Sequence, residues 1–274
     1  MEPMLSVRNL VKRFGGLTAV NHVSLDVYPG EAVGLVGDNA AGKSTLIKCI
    51  SGVYQADEGG IFFRGERAHF ARPIDARRAG IETIYQDLAL AGNLGISANI
   101  FMGREVKKKY LGGMVHTLDE TFMNEASRKV LDTLDIHFAN FGEKIEKLSG
   151  GQRQAVAIAR AVYWQAKLMI MDEPTNNLGV VEQHKVLDLI GKLRNEQVPV
   201  ILISHTLPDV FAVTNRIVVM HRGRRVAEKR TSETNSREIV QYMVGALDDT
   251  LNGEAPDSAP GPLATSGRPP EPES

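Results

Sequence analysis

The segment Gly37-Asp38-Asn39-Ala40-Ala41-Gly42-Lys43-Ser44-Thr45 holds the residue types of a phosphate cradle. Glycines let the backbone approach an anion, a lysine brings charge, and a hydroxyl can ligate a metal ion. Residues 31–36 before it form an apolar run bounded by Pro29-Gly30 and Gly37, short enough for a buried strand. Leu46, Ile47 and Ile50 after it follow helical spacing. G-x-x-x-x-G-K-[ST] between strand and helix is the context that marks a Walker A loop. Its successive N–H groups make an anion-binding concavity, and the helix N-terminus adds its positive end. Lys43 is expected to reach the β- and γ-phosphates of a nucleotide, and Ser44 to ligate Mg²⁺.

Two carboxylates supply the other half of such a site. Leu168-Met169-Ile170-Met171 is an apolar run that ends in Asp172-Glu173, as a buried strand does when it presents acids at its C-terminal edge. Asp172 is placed to hold Mg²⁺ in the manner of a Walker B aspartate. Glu173, one residue on, is expected to point to the other face and to be free to polarise an attacking water. A third segment, Leu148-Ser149-Gly150-Gly151-Gln152, precedes a helical stretch rich in alanine (Ala155, Ala157, Ala159, Ala161). Ser149 can cap that helix, and the bare glycine backbone makes a second anion site.

Taken together, these motifs resemble the ATP-binding cassette (ABC) family over roughly residues 3–245. The resemblance implies an α/β fold: a P-loop NTPase, RecA-like core with a parallel sheet, an antiparallel β subdomain and a helical subdomain. It also implies ATP and Mg²⁺ as ligands and ATP hydrolysis as the activity. In that family the Leu-Ser-Gly-Gly-Gln signature faces the Walker A loop of a second subunit. Carried over, Ser149, Gly150, Gly151 and Gln152 would contact the γ-phosphate bound on a partner copy. Gln86, ending the strand-like run 81–86, resembles the glutamine that touches Mg²⁺ and the attacking water. His205, after the strand-like run 199–204, resembles the switch histidine of the γ-phosphate. Phe14 resembles the aromatic residue that stacks on adenine.

Two positions depart from the family pattern. Ala40 stands where a glycine is usual, which costs energy if the backbone there needs a positive φ. Gly179 replaces the common aspartate after Asn176-Asn177-Leu178, which bears on cross-talk between paired sites.

The elements that must position these residues can be read coarsely. Leu5–Val7, His22–Val27 and 61–64 alternate like strands of an antiparallel sheet. The core alternates strand and helix across 31–36, 44–52, 81–86, 153–164, 168–172, 181–194, 199–204 and 207–213, which predicts a parallel sheet covered on both faces. Val186, Leu189, Ile190 and Leu193 share one helical face, and 217–228 reads as a closing hairpin. Residues 87–150 read as a mostly helical insertion. Its basic run Arg104, Lys107, Lys108, Lys109 reads as a solvated loop, with an acidic partner or a lipid surface as the other use. From 248 onward the chain holds Pro256, Pro260, Pro262, Pro269, Pro270 and Pro272, half of its 12 prolines, and reads as a disordered tail after a 3–247 domain.

Composition narrows the class. The 274 residues are 43% hydrophobic, enough for a full core, and a net charge of −1 gives no reason to expect nucleic acid. Cys49 is the only cysteine, which excludes an internal disulfide and suits a reducing compartment. No apolar signal core opens the chain and no stretch reaches the ~20 apolar residues of a membrane helix. The paired nucleotide sites that the resemblance implies require two chains where each has one Walker A loop, in the head-to-tail ATP-dependent dimer of that family.

Asn93 to Glu105, Gly37-Asp38-Asn39 and Ala161-Val162-Tyr163-Trp164 resemble ATPase subunits of bacterial sugar importers of the ribose, xylose and fructose group. That resemblance implies a separate membrane permease, a periplasmic or lipid-anchored sugar-binding protein, and a peripheral position on the cytoplasmic face of the inner membrane. A cassette ATPase not coupled to transport, an importer ATPase for another solute and a non-hydrolysing regulator are the competing readings.

Overall fold

The computed structural model describes residues 2–110 and 115–251. The proline-rich segment expected to be a tail lies outside them from 252 onward.

The apolar run before the phosphate loop is strand β3 (Ala32–Gly37), buried along its whole length. It sits inside a six-stranded sheet of order β12-β11-β3-β10-β9-β6. Its partners are β6 (Ile81–Ile84), β9 (Leu168–Asp172), β10 (Val200–Ile203), β11 (Arg216–His221) and β12 (Arg224–Arg230). All neighbours pair in parallel except the β11–β12 hairpin. Strands buried on both faces read as unbroken apolar runs rather than alternating ones, which is why Leu168–Met171 and Val200–Ile203 carry no polar residue.

A second, antiparallel sheet of order β2-β1-β4-β5 is formed by β1 (Leu5–Phe14), β2 (Leu17–Val27), β4 (Glu58–Phe63) and β5 (Glu66–Ala68). Leu5, Val7, Val23, Leu25 and Ile61 from this sheet pack with Val33, Leu35, Ile201 and Ile203 around helix α1 (Lys43–Ile50). Cys49 lies in that packing, and burial pushes its thiol pKa up to about 11. Helix α2 (Pro73–Ala79) leads into β6.

The other face of the parallel sheet packs on α5 (Gly150–Tyr163) and α6 (Val180–Asn195). Val186, Leu189, Ile190 and Leu193 of α6 are all buried, as their spacing predicts. Helix α7 (Leu207–Val213) and helix α8 (Ser236–Met243) form a third, smaller core with β11 and β12.

The segment 87–150 corrects the expectation of a mostly helical insertion. It holds α3 (Ile96–Ile100), α4 (Glu120–Thr133) and a single 3₁₀ turn (Ile145–Lys147). It also holds a hairpin of β7 (Lys107–Tyr110) and β8 (Val115–Leu118). The lysine run therefore lies on a strand rather than a loop, with Lys108 paired to Asp119 at 2.7 Å. Lysine disguised the strand: polar side chains on an exposed ribbon leave no apolar alternation to read. At the C-terminal end the described fold continues to Leu251. Asp249 pairs with Lys229 at 3.0 Å and accepts from the Tyr242 hydroxyl at 2.7 Å.

Asn99 organises the approach to α3. It is fully buried; its Oδ1 accepts from Ala91 N at 2.7 Å, and its Nδ2 donates to the carbonyls of Ala91 at 3.1 Å and Gly95 at 2.9 Å. Asn99→Ala would leave Ala91 N without its acceptor, while the carbonyls of Ala91 and Gly95 keep the N–H groups of Leu94 and Asn99. Its expected cost is about 1–3 kcal/mol, read as a lower denaturant midpoint.

Candidate active site

The order of the sheet decides the geometry. Because β10 hydrogen-bonds to β3 on one side and β9 on the other, with β6 beyond β9, four C-terminal strand ends stand in a row. They carry the phosphate loop, His205, Glu173 and Gln86. Register fixes their level: Ile203 pairs with both Leu35 and Asp172, and Ile84 with Met171.

The phosphate loop leaves β3 at Gly37 and enters α1 at Gly42. Gly42 stands at φ +99°, and a Cβ there would lie 2.4 Å from the carbonyl of Ala19, so both conformation and packing require glycine. Lys43 Nζ donates to the carbonyls of Gly37 at 2.7 Å and Asp38 at 3.0 Å, drawing the loop around itself. Asp38, Asn39, Ala40 and Ser44 are exposed, Thr45 is half-buried and Ala41 is buried. Ala40 adopts φ +63°, so this position does need the left-handed backbone its family glycine would supply.

Glu173 corrects the expectation of a carboxylate free on the opposite face. The chain turns at φ +52° after Asp172, which ends the strand alternation. Glu173 Oε2 then lies 2.8 Å from His205 Nδ1 and accepts from the His205 backbone N at 3.4 Å. Gln86 sits two residues beyond the end of β6, exposed, in a cleft that it shares with Glu173, Asn177 and Gly150.

Ser149 is the N-cap of α5. Its hydroxyl accepts from Gln152 N at 3.3 Å, while Ser149 N donates to Gln152 Oε1 at 2.9 Å, a reciprocal capping box. Ser149, Gly151 and Gln152 open onto a separate cavity of about 470 Å³ shared with Glu182 and Lys185. Phe14, at the end of β1, is 42% exposed and stands edge-on to Tyr54 at 5.1 Å, which leaves ring surface for a planar ligand.

The sequence matches the ABC transporter family over residues 20–176. That span includes the phosphate loop, the signature turn and both carboxylates. The chain belongs to this family.

The cassette is 47% identical over 243 residues to the xylose/arabinose import ATP-binding protein XylG of Sulfolobus acidocaldarius, covering 89% of this chain and 94% of that protein. It is 44% identical over 247 residues to the fructose import ATP-binding protein FrcA of Rhizobium meliloti, covering 89% of this chain and 95% of that one. Among solved structures it resembles the ADP conformation of the ATP-binding cassette MJ1267, with a TM-score of 0.74 and 26% identity over 93% of this chain and all of that one. As an ABC ATPase the cassette binds and hydrolyses ATP with Mg²⁺.

The residues present fit that metal. Ser44 and Asp172 offer hard oxygens, and among the described residues no group of three or more His, Cys, Asp or Glu could hold an ion unaided. Such a sparse protein set suits an ion that keeps waters and shares phosphate oxygens. Ser44 and Asp172 would hold Mg²⁺, whose charge would offset that of the phosphate oxygens.

The charges around it are held out of balance. Burial pushes the Asp172 carboxyl up from its ordinary range, the nearby Glu173 charge adds to this, and Lys43 opposes it. Burial likewise lowers the Lys43 ammonium, against the pull of Glu173, Asp172 and Asp38. Three neighbours of the site carry no signal in a single sequence: Tyr54 behind Phe14, Glu182 at the signature turn, and Asp209 against Thr175 of the Glu173 turn. Each reaches the site only through tertiary packing.

Two outcomes test this electrostatic and backbone strain. Because its folded pKa is raised, Asp172 favours the fold below the ordinary carboxylate range, and that contribution is lost as pH rises through the folded value. Asp172→Asn is expected to raise the melting temperature of the nucleotide-free protein at pH 7, with the gain shrinking as pH falls. Ala40→Gly would relieve a left-handed residue costing about 1–2 kcal/mol and return roughly 0.5–1 kcal/mol to unfolded-chain entropy. A small net gain in a denaturant titration is the expected result.

Proposed function

We propose that two copies of this cassette bind two Mg·ATP head to tail and drive import of a sugar through a separate membrane permease. The reading rests above all on the row of strand ends, where a lysine-bearing loop, His205, Glu173 and Gln86 line one sheet edge. Of the signature turn, Ser149, Gly151 and Gln152 open onto the cavity with Glu182, while Gly150 borders the Gln86–Glu173 cleft, an exposure that suits a turn offered to another chain's phosphate. The sugar-import names of XylG and FrcA, each matched over nearly its whole length, support the transport half of the reading.

In this mechanism Phe14 stacks on adenine, and the loop Gly37 to Thr45 with Lys43 holds the phosphates. Ser44 and Asp172 hold Mg²⁺, assisted by Gln86. Ser149, Gly150, Gly151 and Gln152 of the opposing copy seal the γ-phosphate. Glu173 takes a proton from the attacking water, and His205 holds the glutamate and the γ-phosphate in line. Closure of the dimer is the work step, since ATP binds the closed state better than the open one. The permease docks near the Gln86 loop, on the cytoplasmic face of the inner membrane. A periplasmic or lipid-anchored binding protein delivers the sugar. Among the described residues no helix is long and apolar enough to cross a membrane, so in this reading the pore belongs to another polypeptide.

Glu173→Gln should keep ATP binding and give an ATP-dependent dimer in gel filtration, with turnover reduced by about 10²–10⁴-fold. Lys43→Ala should instead weaken nucleotide binding itself. Wild-type turnover in Glu173→Gln would remove that residue from its role.

A further inference from the structure

Glu173 and His205 face each other from two different loops, and each loop needs something to hold it. A non-glycine residue at φ +52° persists only where its surroundings over-determine it. Part of the support is backbone: Glu173 N donates to Ile203 O at 2.9 Å, and Asn176 N donates to Glu173 O at 3.1 Å.

The rest comes from beneath. Thr175 Oγ1 donates to Asp209 Oδ2 at 2.6 Å, and the two residues are only 4% and 8% exposed. Thr175 lies in the turn that carries Glu173. Asp209 lies in the first turn of α7, directly after the loop that carries His205. That helix is itself immobilised. Leu207, Val210 and Val213 are buried, and Val210 packs so closely on β3 that a Cβ at Gly34 would lie 2.5 Å from it. The carboxylate thus ties the glutamate turn to a helix seated on the strand that feeds the phosphate loop.

We propose that Asp209 is a positioning residue: acting through Thr175, it fixes the Glu173 turn against the His205 loop so that glutamate and histidine hold one mutual geometry. The proposal rests on the catalytic roles given above to Glu173 and His205. An acid in the first turn of a helix also complements the helix dipole, which would make Asp209 a device for stabilising α7 alone. The short bond to a hydroxyl on another loop separates the two roles, because dipole complementation has no need of Thr175.

The test uses the full chain with Asp209→Leu, Thr175→Val, their double variant, Asp209→Asn and Thr175→Ser. ATPase kcat and KM are measured beside melting temperature, with wild type and Glu173→Gln as controls. A misplaced general base costs turnover rather than affinity, on the order of tenfold to a hundredfold. Asp209→Leu and Thr175→Val should each lower kcat by that factor with KM unchanged, and the double variant should lose no more than either one. Asp209→Asn keeps an acceptor oxygen and Thr175→Ser keeps the donor, so both should recover most of the turnover. If Asp209→Leu does not fold, the Thr175→Val and Thr175→Ser pair decides alone.

Unchanged kcat in the Leu and Val variants overturns the proposal. So does a loss that merely follows melting temperature, with Asn and Ser no better than Leu and Val. If Glu173→Gln itself turns over like wild type, the catalytic reading fails whatever Asp209 does. If Glu173→Gln is silent while the Asp209 and Thr175 variants run at full rate, the clamp alone is lost.

Discussion

Strand β10 is the constraint on which the site depends. Its four residues pair in parallel register with β3 on one side and β9 on the other, so it sets both the spacing and the level of the loops beyond them. A slip of one residue would turn every side chain to the opposite face and break two ladders at once. The apolar run Val200–Ile203, buried from end to end, makes that slip expensive, because both faces must be filled. His205 is delivered beside Glu173 as a consequence of sheet order and needs no local motif to guide it there.

Around this rigid floor the site itself is strained. Ala40 and Glu173 hold positive φ, a half-buried lysine faces two carboxylates, and Asp172 is raised by burial and by its neighbour's charge. These features oppose stability, and the core beneath offsets them. They suit a site that is completed by a doubly charged cation and a polyanion, whose charges relieve the imbalance. At the helix carrying Ser149 the capping box provides for the N–H groups of Ser149 and Gln152 within the single chain.

Helix α5 and the Gln86 loop are joined by polar contacts. Arg160 of α5 reaches the carbonyls of Leu88 and Ala89 at 3.4 Å, so the helix that begins with the signature turn also touches the segment after Gln86. Buried Glu82 of β6 pairs with Arg77 at 3.4 Å and with Arg104 at 3.2 Å, and Arg104 stacks on Trp164. Trp164 in turn donates to the carbonyl of Ile100 at 3.0 Å. Displacement of α5 would therefore be felt at the Gln86 loop through direct contacts rather than through the sheet.

Much of this was legible in the residues alone. Apolar runs bounded by glycine marked the parallel strands, the face of α6 followed from helical spacing, and the capping role of Ser149 followed from its place before Gly150. The misses share one cause: the signal lay outside the local chain. Strand β7 is written in lysine and becomes a ribbon only by pairing with β8, and the buried role of Asn99 depends on carbonyls that a loop brings back to it. The direction of Glu173 depends on a left-handed turn that alternation does not foresee.

The sequence by itself determined the chemistry, because a phosphate loop, a strand ending in two acids and a serine-capped helix that opens on two glycines are local patterns with local physical reasons. Only the tertiary structure decided which of these groups meet. The Glu173–His205 contact and the buried Thr175–Asp209 bond join residues about 30 apart along the chain, and the β3–β10 ladder joins residues more than 160 apart. Contacts of that kind are selected by packing of the whole core, and no short stretch of sequence records them.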